Sequence, residues 1–149
     1  SLGAENTAAY VSNVIVSKAT LLGTGNGVRI KTWQGGSGYA KNIKFQNILM
    51  YNVSNPIIID QNYCDQEKPC RKQTSAVQVS NVLYQNIRGG TSASNVAMKF
   101  DCSQSVPCRQ IYLQNVALKA EETKQASSSC ANVILSYRGD VSPPCSSRS

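Results

Sequence analysis

The sequence has no histidine, no Cys-x-x-Cys spacing and one tryptophan among 149 residues. Without histidine or that spacing, a zinc site is the weaker reading of the cysteines, and no metal is implied. No stretch approaches the ~18–20 consecutive apolar residues needed to cross a bilayer, so no membrane partner is expected. The basic residues are scattered singly, without the Lys/Arg clusters that mark nucleic-acid or lipid binding. Helical signal is nearly absent as well. Only Val116 to Gln125 has room for about two turns, at ~3.6 residues each, before Ser127-Ser-Ser-Cys130 would break them. The chain starts at Ser1 with no charged-then-apolar leader, which reads as a processing site or an artificial boundary.

What is present begins with six cysteines: Cys64, Cys70, Cys102, Cys108, Cys130 and Cys145. An even count suits a disulfide framework, although six cysteines allow ~15 connectivities. Cys64 and Cys70 enclose a short polar loop ending in proline, and so do Cys102 and Cys108. Local pairing is the simplest connectivity, leaving Cys130 and Cys145 to staple a tail over 126–149. Disulfides imply an oxidising, extracellular setting, and Asn52-Val53-Ser54 is a glycosylation acceptor pattern that agrees with it. The net charge is +7, from fifteen Lys plus Arg against eight Asp plus Glu. Such a surface attracts polyanions, or serves solubility alone.

Length allows one domain with a sizeable core, and the chain repeats within itself. Val11-Ser-Asn-Val-Ile-Val16, Ala40-Lys-Asn-Ile-Lys-Phe45, Val79-Ser-Asn-Val-Leu-Tyr84 and Cys108-Arg-Gln-Ile-Tyr-Leu113 read alike. Three of them continue through Gln-Asn to Ile48, Ile87 and Val116. Apolar and polar residues alternate, as in strands with one buried face. Asn13, Asn42 and Asn81 share one position of the repeat, and Asn47, Asn86 and Asn115 another. Asparagine suits a bend better than a strand interior. A second strand follows in each of the first three units: Gly27 to Lys31, Pro56 to Asp60 and Val96 to Phe100. A unit of this size cannot bury its own inner face, whereas stacked copies can. The pattern therefore predicts an all-β parallel β-helix of about four coils plus the tail, in preference to an antiparallel sandwich.

One of these second strands stands apart. Side chains alternate along a strand, so Arg29 and Lys31 share a face. A row of uronic-acid carboxylates would satisfy both, the arginine through a bidentate fork and the lysine as a point charge. The plainer reading is a pair of solvated surface cations. Tyr63, beside Cys64, could pack on a sugar ring or simply fill a loop, and Trp33 reads as packing.

Gly27-Val-Arg-Ile-Lys-Thr-Trp-Gln-Gly-Gly-Ser-Gly38 and Asn55-Pro-Ile-Ile-Ile-Asp-Gln-Asn-Tyr-Cys64 closely resemble the plant polygalacturonases, pectin-cleaving glycoside hydrolases. Ser75-Ala-Val-Gln-Val79, Gly90-Thr-Ser-Ala-Ser94 and Val141-Ser-Pro-Pro-Cys145 extend the likeness over nearly the whole chain. The resemblance implies a right-handed parallel β-helix and inverting hydrolysis of α-1,4 galacturonosyl bonds. It also implies substrate binding by Arg29, Lys31 and Tyr63, two local disulfides plus a tail disulfide, a secreted cell-wall setting and homogalacturonan as partner. No cofactor is implied.

The departure concerns catalysis. Inversion needs one carboxylic acid for the leaving oxygen and a second carboxylate to activate water. The family takes these from Asn-Thr-Asp and Asp-Asp segments, helped by a Gly-His-Gly histidine, and Ser1-Leu2-Gly3 resembles the stretch just after that histidine. The carboxylates present are Asp60, Asp65, Asp101, Asp140, Glu5, Glu67, Glu121 and Glu122. Asp60 is expected to border a bend, Asp65 lies in a cysteine loop, and Glu121 and Glu122 read as solvated, so no catalytic residue is assigned. The chain is thus expected to be the C-terminal portion of one β-helix domain, inactive alone. A non-catalytic pectin-binding or partner-binding solenoid is the second reading, and a calcium-dependent pectate lyase, lacking its aspartate clusters, the third. Without a cap, the first coil near Val11 to Val16 should expose strand edges and an opened core. The missing N-terminal part, another protomer or a different partner would cover it.

Overall fold

A computed structural model describes residues 1–65, 70–90, 95–120 and 125–146. Nine strands follow a short turn at Ala4–Asn6: β1 (Ala8–Leu22), β2 (Asn26–Trp33), β3 (Ser37–Tyr51), β4 (Asn55–Tyr63), β5 (Gln78–Gly90), β6 (Val96–Asp101), β7 (Cys108–Lys119), β8 (Ser127–Ala131) and β9 (Val133–Ser142). The odd strands form one sheet in the order β1-β3-β5-β7-β9, the even strands another in the order β2-β4-β6-β8. Every pairing is parallel. Each coil thus contributes one long and one short strand, and the coils stack as a parallel β-helix.

Asparagine explains how a long strand follows the curve of a coil. Asn13, Asn42 and Asn81 all have positive φ, and so do Asn47, Asn86 and Asn115. A single left-handed residue turns the strand without ending it, and asparagine tolerates that conformation better than most side chains. The bends are therefore inside the long strands. Their amides also stack, Asn42 Nδ2 donating to Asn13 Oδ1 at 3.3 Å and Asn81 Nδ2 to Asn42 Oδ1 at 2.7 Å. The first and second of these asparagines are 29 residues apart and the next pair 39. The longer interval accommodates the cysteine loop after β4.

Inward side chains form ladders up the stack. Ile43, Val82 and Ile111 occupy one rung position, Phe45, Tyr84 and Leu113 the next, and Ile48, Ile87 and Val116 a third. Phe45 stacks on Tyr84 with centroids 5.3 Å apart, and Tyr84 and Phe100 pack in a T-shaped arrangement at 6.2 Å. Gly89 is required where it stands. Its φ is 145°, and a Cβ there would collide with the Met50 carbonyl.

Tyr84 is fully buried, and its hydroxyl finds no hydrogen-bond partner among the described residues. Burial pushes its phenol far above the ordinary range. An unsatisfied buried hydroxyl costs about 1–3 kcal/mol. Tyr84→Phe is therefore expected to raise stability by about 1 kcal/mol or more in urea melts. A loss of stability would show that the hydroxyl is solvated.

Gln61 is the opposite case. It is fully buried and fully used: its amide donates to Val77 O at 2.8 Å and Val106 O at 3.1 Å, and its Oε1 accepts from Ser103 N at 2.7 Å. One side chain ties β4 to the segments beside the Cys102–Cys108 loop. Gln61→Leu would orphan three backbone groups and is expected to cost at least ~2 kcal/mol by the same melts.

Two expectations are corrected. Val116 to Lys119 belongs to β7 rather than to a helix, because Val116 and Leu118 point alternately inward and are buried; Glu121 and Glu122 lie outside the described residues. The stretch from 126, expected as a tail, supplies β8 and β9. Ser127 to Ala131 pairs with β6, and β9 with β7, so the stack continues before Cys145 ties back to Cys130.

The first coil is open. β1 is a sheet edge, and Val14 and Val16 are each 36% exposed, against 5% and 7% for their counterparts Ile43 and Phe45. The same inward positions are dry one coil later, so exposure comes from place in the stack and not from residue type.

Candidate carbohydrate-binding face

The short-strand sheet carries the candidate residues. Along β2, Val28, Ile30 and Thr32 are buried, so Arg29, Lys31 and Trp33 face outward. Register sets Arg29 beside Ile58, Lys31 beside Asp60 and Trp33 beside Tyr63. A register shift between Lys31 and Trp33 brings Tyr63 level with the tryptophan. Lys31 Nζ lies 4.1 Å from the centroid of the Tyr63 ring, and Trp33 meets that ring edge-on at 5.6 Å. The tyrosine is thus held by a cation and an indole as well as by its neighbouring disulfide. Leu2 secures the strand from the other side, its N–H donating to Lys31 O and its carbonyl accepting from Trp33 N.

The cations are not a bare row. Asp60 and, one coil on, Asp101 stand in register with Lys31, so a carboxylate ladder rises beside it. Asp60 lies within β4, not at a bend as its sequence position suggested. The bend comes later because β4 runs on to Tyr63. Desolvation by burial holds the Asp60 carboxyl above the usual carboxylate range, and neighbouring Asp101 adds to this. The Asn62 backbone N–H, Arg29 and Lys99 oppose it. Asn62 bridges the two acids, donating its N–H to Asp60 at 3.0 Å and its amide to Asp101 at 2.9 Å. Both acids are therefore engaged within the face.

Lys99 was not singled out from the sequence. It is exposed on β6 and in register with Ile58. The 29-residue repeat offset from Lys31 to Asp60 was visible in the sequence; the longer offset from Ile58 to Lys99 was hidden by the loop insertion.

The cysteines pair locally: Cys64 with Cys70, Cys102 with Cys108 and Cys130 with Cys145, at Cα separations of 6.4, 5.8 and 5.9 Å. These lie within the span a disulfide bridges without strain. The first two flank the face, where a groove of about 560 Å³ runs past Asn62, Asp101 and Lys72. Another groove, of about 680 Å³, lies elsewhere. Tyr51, Asn52, Arg88 and Lys119 line it, but neither Arg29, Lys31 nor Tyr63 does. Asn52 is exposed on its wall at a positive-φ bend, an accessible position for modification. Among the described residues no cluster of three or more acids, cysteines or histidines is placed to hold a metal.

The family model described as glycosyl hydrolases family 28 matches residues 1–142. Over 147 residues the chain is 62% identical to polygalacturonase QRT2 of Arabidopsis thaliana, covering 97% of the chain and 33% of that protein. It is 56% identical to polygalacturonase-2 of Solanum lycopersicum, over 99% of the chain and 32% of the relative. A polygalacturonase of Persea americana is 60% identical over 90% of the chain and 29% of its own length. The chain spans about a third of the length of these curated relatives. With a family match across almost every residue and a parallel β-helix to accompany it, the chain belongs to glycosyl hydrolase family 28.

Proposed function

We propose that the chain is the C-terminal portion of a secreted, cell-wall polygalacturonase and binds weakly esterified homogalacturonan through Arg29, Lys31 and Tyr63. The observation that carries this reading is the outward placement of a guanidinium and an ammonium on one strand, the ammonium lying over an aromatic ring. Arginine offers a planar fork matched to a carboxylate, and lysine a compact charge. A methyl ester accepts neither as an anion, so free uronates are the preferred ligand. Tyr63, braced by Trp33, presents an apolar ring and a hydroxyl to a sugar.

Hydrolysis with inversion needs a proton donor and a water-activating carboxylate on opposite sides of the bond. Asp60 and Asp101 are occupied with Asn62 and with each other's field. In this reading the acid, the base and a histidine come from the remainder of the enzyme. A further coil, or another protomer, covers the open β1 edge. The Cys framework and the exposed acceptor Asn52 suit secretion.

The test is reducing-sugar release from polygalacturonate by the purified chain, together with its binding to oligogalacturonate at rising salt. We expect no release, and binding that weakens with salt as charges are screened. Release by the chain alone would overturn the assignment of the acids. Equal binding of fully methyl-esterified ligand would overturn the carboxylate contacts.

A further inference from the structure

We infer that Lys99 is a second carboxylate-binding residue, gripping a galacturonate two units along the chain from the one held by Arg29; this rests on the reading above. In parallel, in-register strands, like positions line up across the sheet and not along a strand. Arg29, Ile58 and Lys99 form such a line over β2, β4 and β6. Its neighbour is Lys31, Asp60 and Asp101. Over these three strands the outer face is thereby divided into one row with cations on β2 and β6 and one row that is mostly acidic, before β8 continues them with Ser129 and Ala131.

That division selects how a polyuronide can lie. Strands are about 4.8 Å apart, so Arg29 and Lys99 are separated by two strand spacings. One pyranose unit advances a chain by a comparable step, and a ligand running across the strands meets one coil per sugar. Ile58 between the two cations is apolar and nearly buried, leaving the middle unit a flat surface and no charge. Successive units of the polymer are rotated, so carboxylates two units apart can face the same row. In the second row Lys31 on β2 attracts a carboxylate, whereas Asp60 and Asp101 on β4 and β6 repel one, so beyond β2 the carboxylates are directed to the first row. Lys99 is exposed on the outer face.

Calorimetry with digalacturonate and trigalacturonate on the wild-type chain, Arg29→Gln, Lys99→Gln and Lys99→Arg tests the inference. A trimer reaches both cations; a dimer held by Arg29 does not. Lys99→Gln is expected to weaken trimer binding about 3- to 5-fold, the range of an exposed ion pair, and to leave the dimer unchanged. Lys99→Arg should restore the trimer. If Arg29→Gln weakens both ligands while Lys99→Gln alters neither, this inference fails and the preceding reading stands. If Lys99→Gln weakens dimer and trimer equally, the lysine acts only through the general field and the inference also fails. If the wild-type chain binds neither ligand, both readings fall.

Discussion

Arg29→Ala is expected to weaken oligogalacturonate binding by about 10- to 100-fold, the worth of hydrogen bonds to a charged group. The same change should leave stability within about 0.5 kcal/mol. The two halves of this expectation come from one observation. Arg29 lies on the outer face, and its Nε, though buried, has no hydrogen-bond partner among the described residues. Replacing it therefore breaks no Nε hydrogen bond among the described residues, while the outward placement of the side chain turns its charge toward a ligand. Arg29→Lys should recover only part of the affinity, because an ammonium cannot reproduce the planar fork. Calorimetry with oligogalacturonate and urea melts of the same variants separate the effects. Unchanged binding would remove Arg29 from the site, whereas a large loss of stability would make it a structural residue.

Phe100→Ala should cost about 3–5 kcal/mol, most of what a domain of this size has to spare. Phe100 is 1% exposed and stands in register with Ile59 on one side and Cys130 on the other. It also packs against the Tyr84 ring at a steep interplanar angle, and Tyr84 stacks on Phe45. In a solenoid each coil touches only its neighbours, so one cavity weakens two interfaces at once. Phe100→Leu, which keeps more of the volume, should cost considerably less. Urea melts followed by circular dichroism give the difference. A cost under about 1 kcal/mol would mean that the surrounding coils collapse into the space. The neighbouring Tyr84→Phe substitution carries the opposite sign, so the two together distinguish loss of packing from relief of a stranded hydroxyl.

The recurring Asn-containing strands, the second strands that follow them and the close cysteine pairs were all legible as local signals. Their physical basis is short-ranged: alternation of apolar residues, the tolerance of asparagine for left-handed backbone, and proline-bearing loops between cysteines six residues apart. Arg29 and Lys31 could be placed on one face from two-residue alternation alone. Val116 to Lys119, a few apolar residues before a polar stretch, carries too little periodicity to separate strand from helix. The strand won through pairing with β5 and β9.

By itself the sequence determined the stacked all-β architecture, the bends and the cationic strand, because each depends on residues within one coil. Tertiary structure decided which residues stand beside that strand. Asp60, Tyr63 and Lys99 reach it through the register between coils; a register shift before Trp33 and an insertion after β4 hide the places of Tyr63 and Lys99 from a linear reading. The buried network of Gln61 and the exposure of Val14 and Val16 likewise belong to the stack, since whether a polar group is satisfied or an apolar one is dry depends on the coil laid against it.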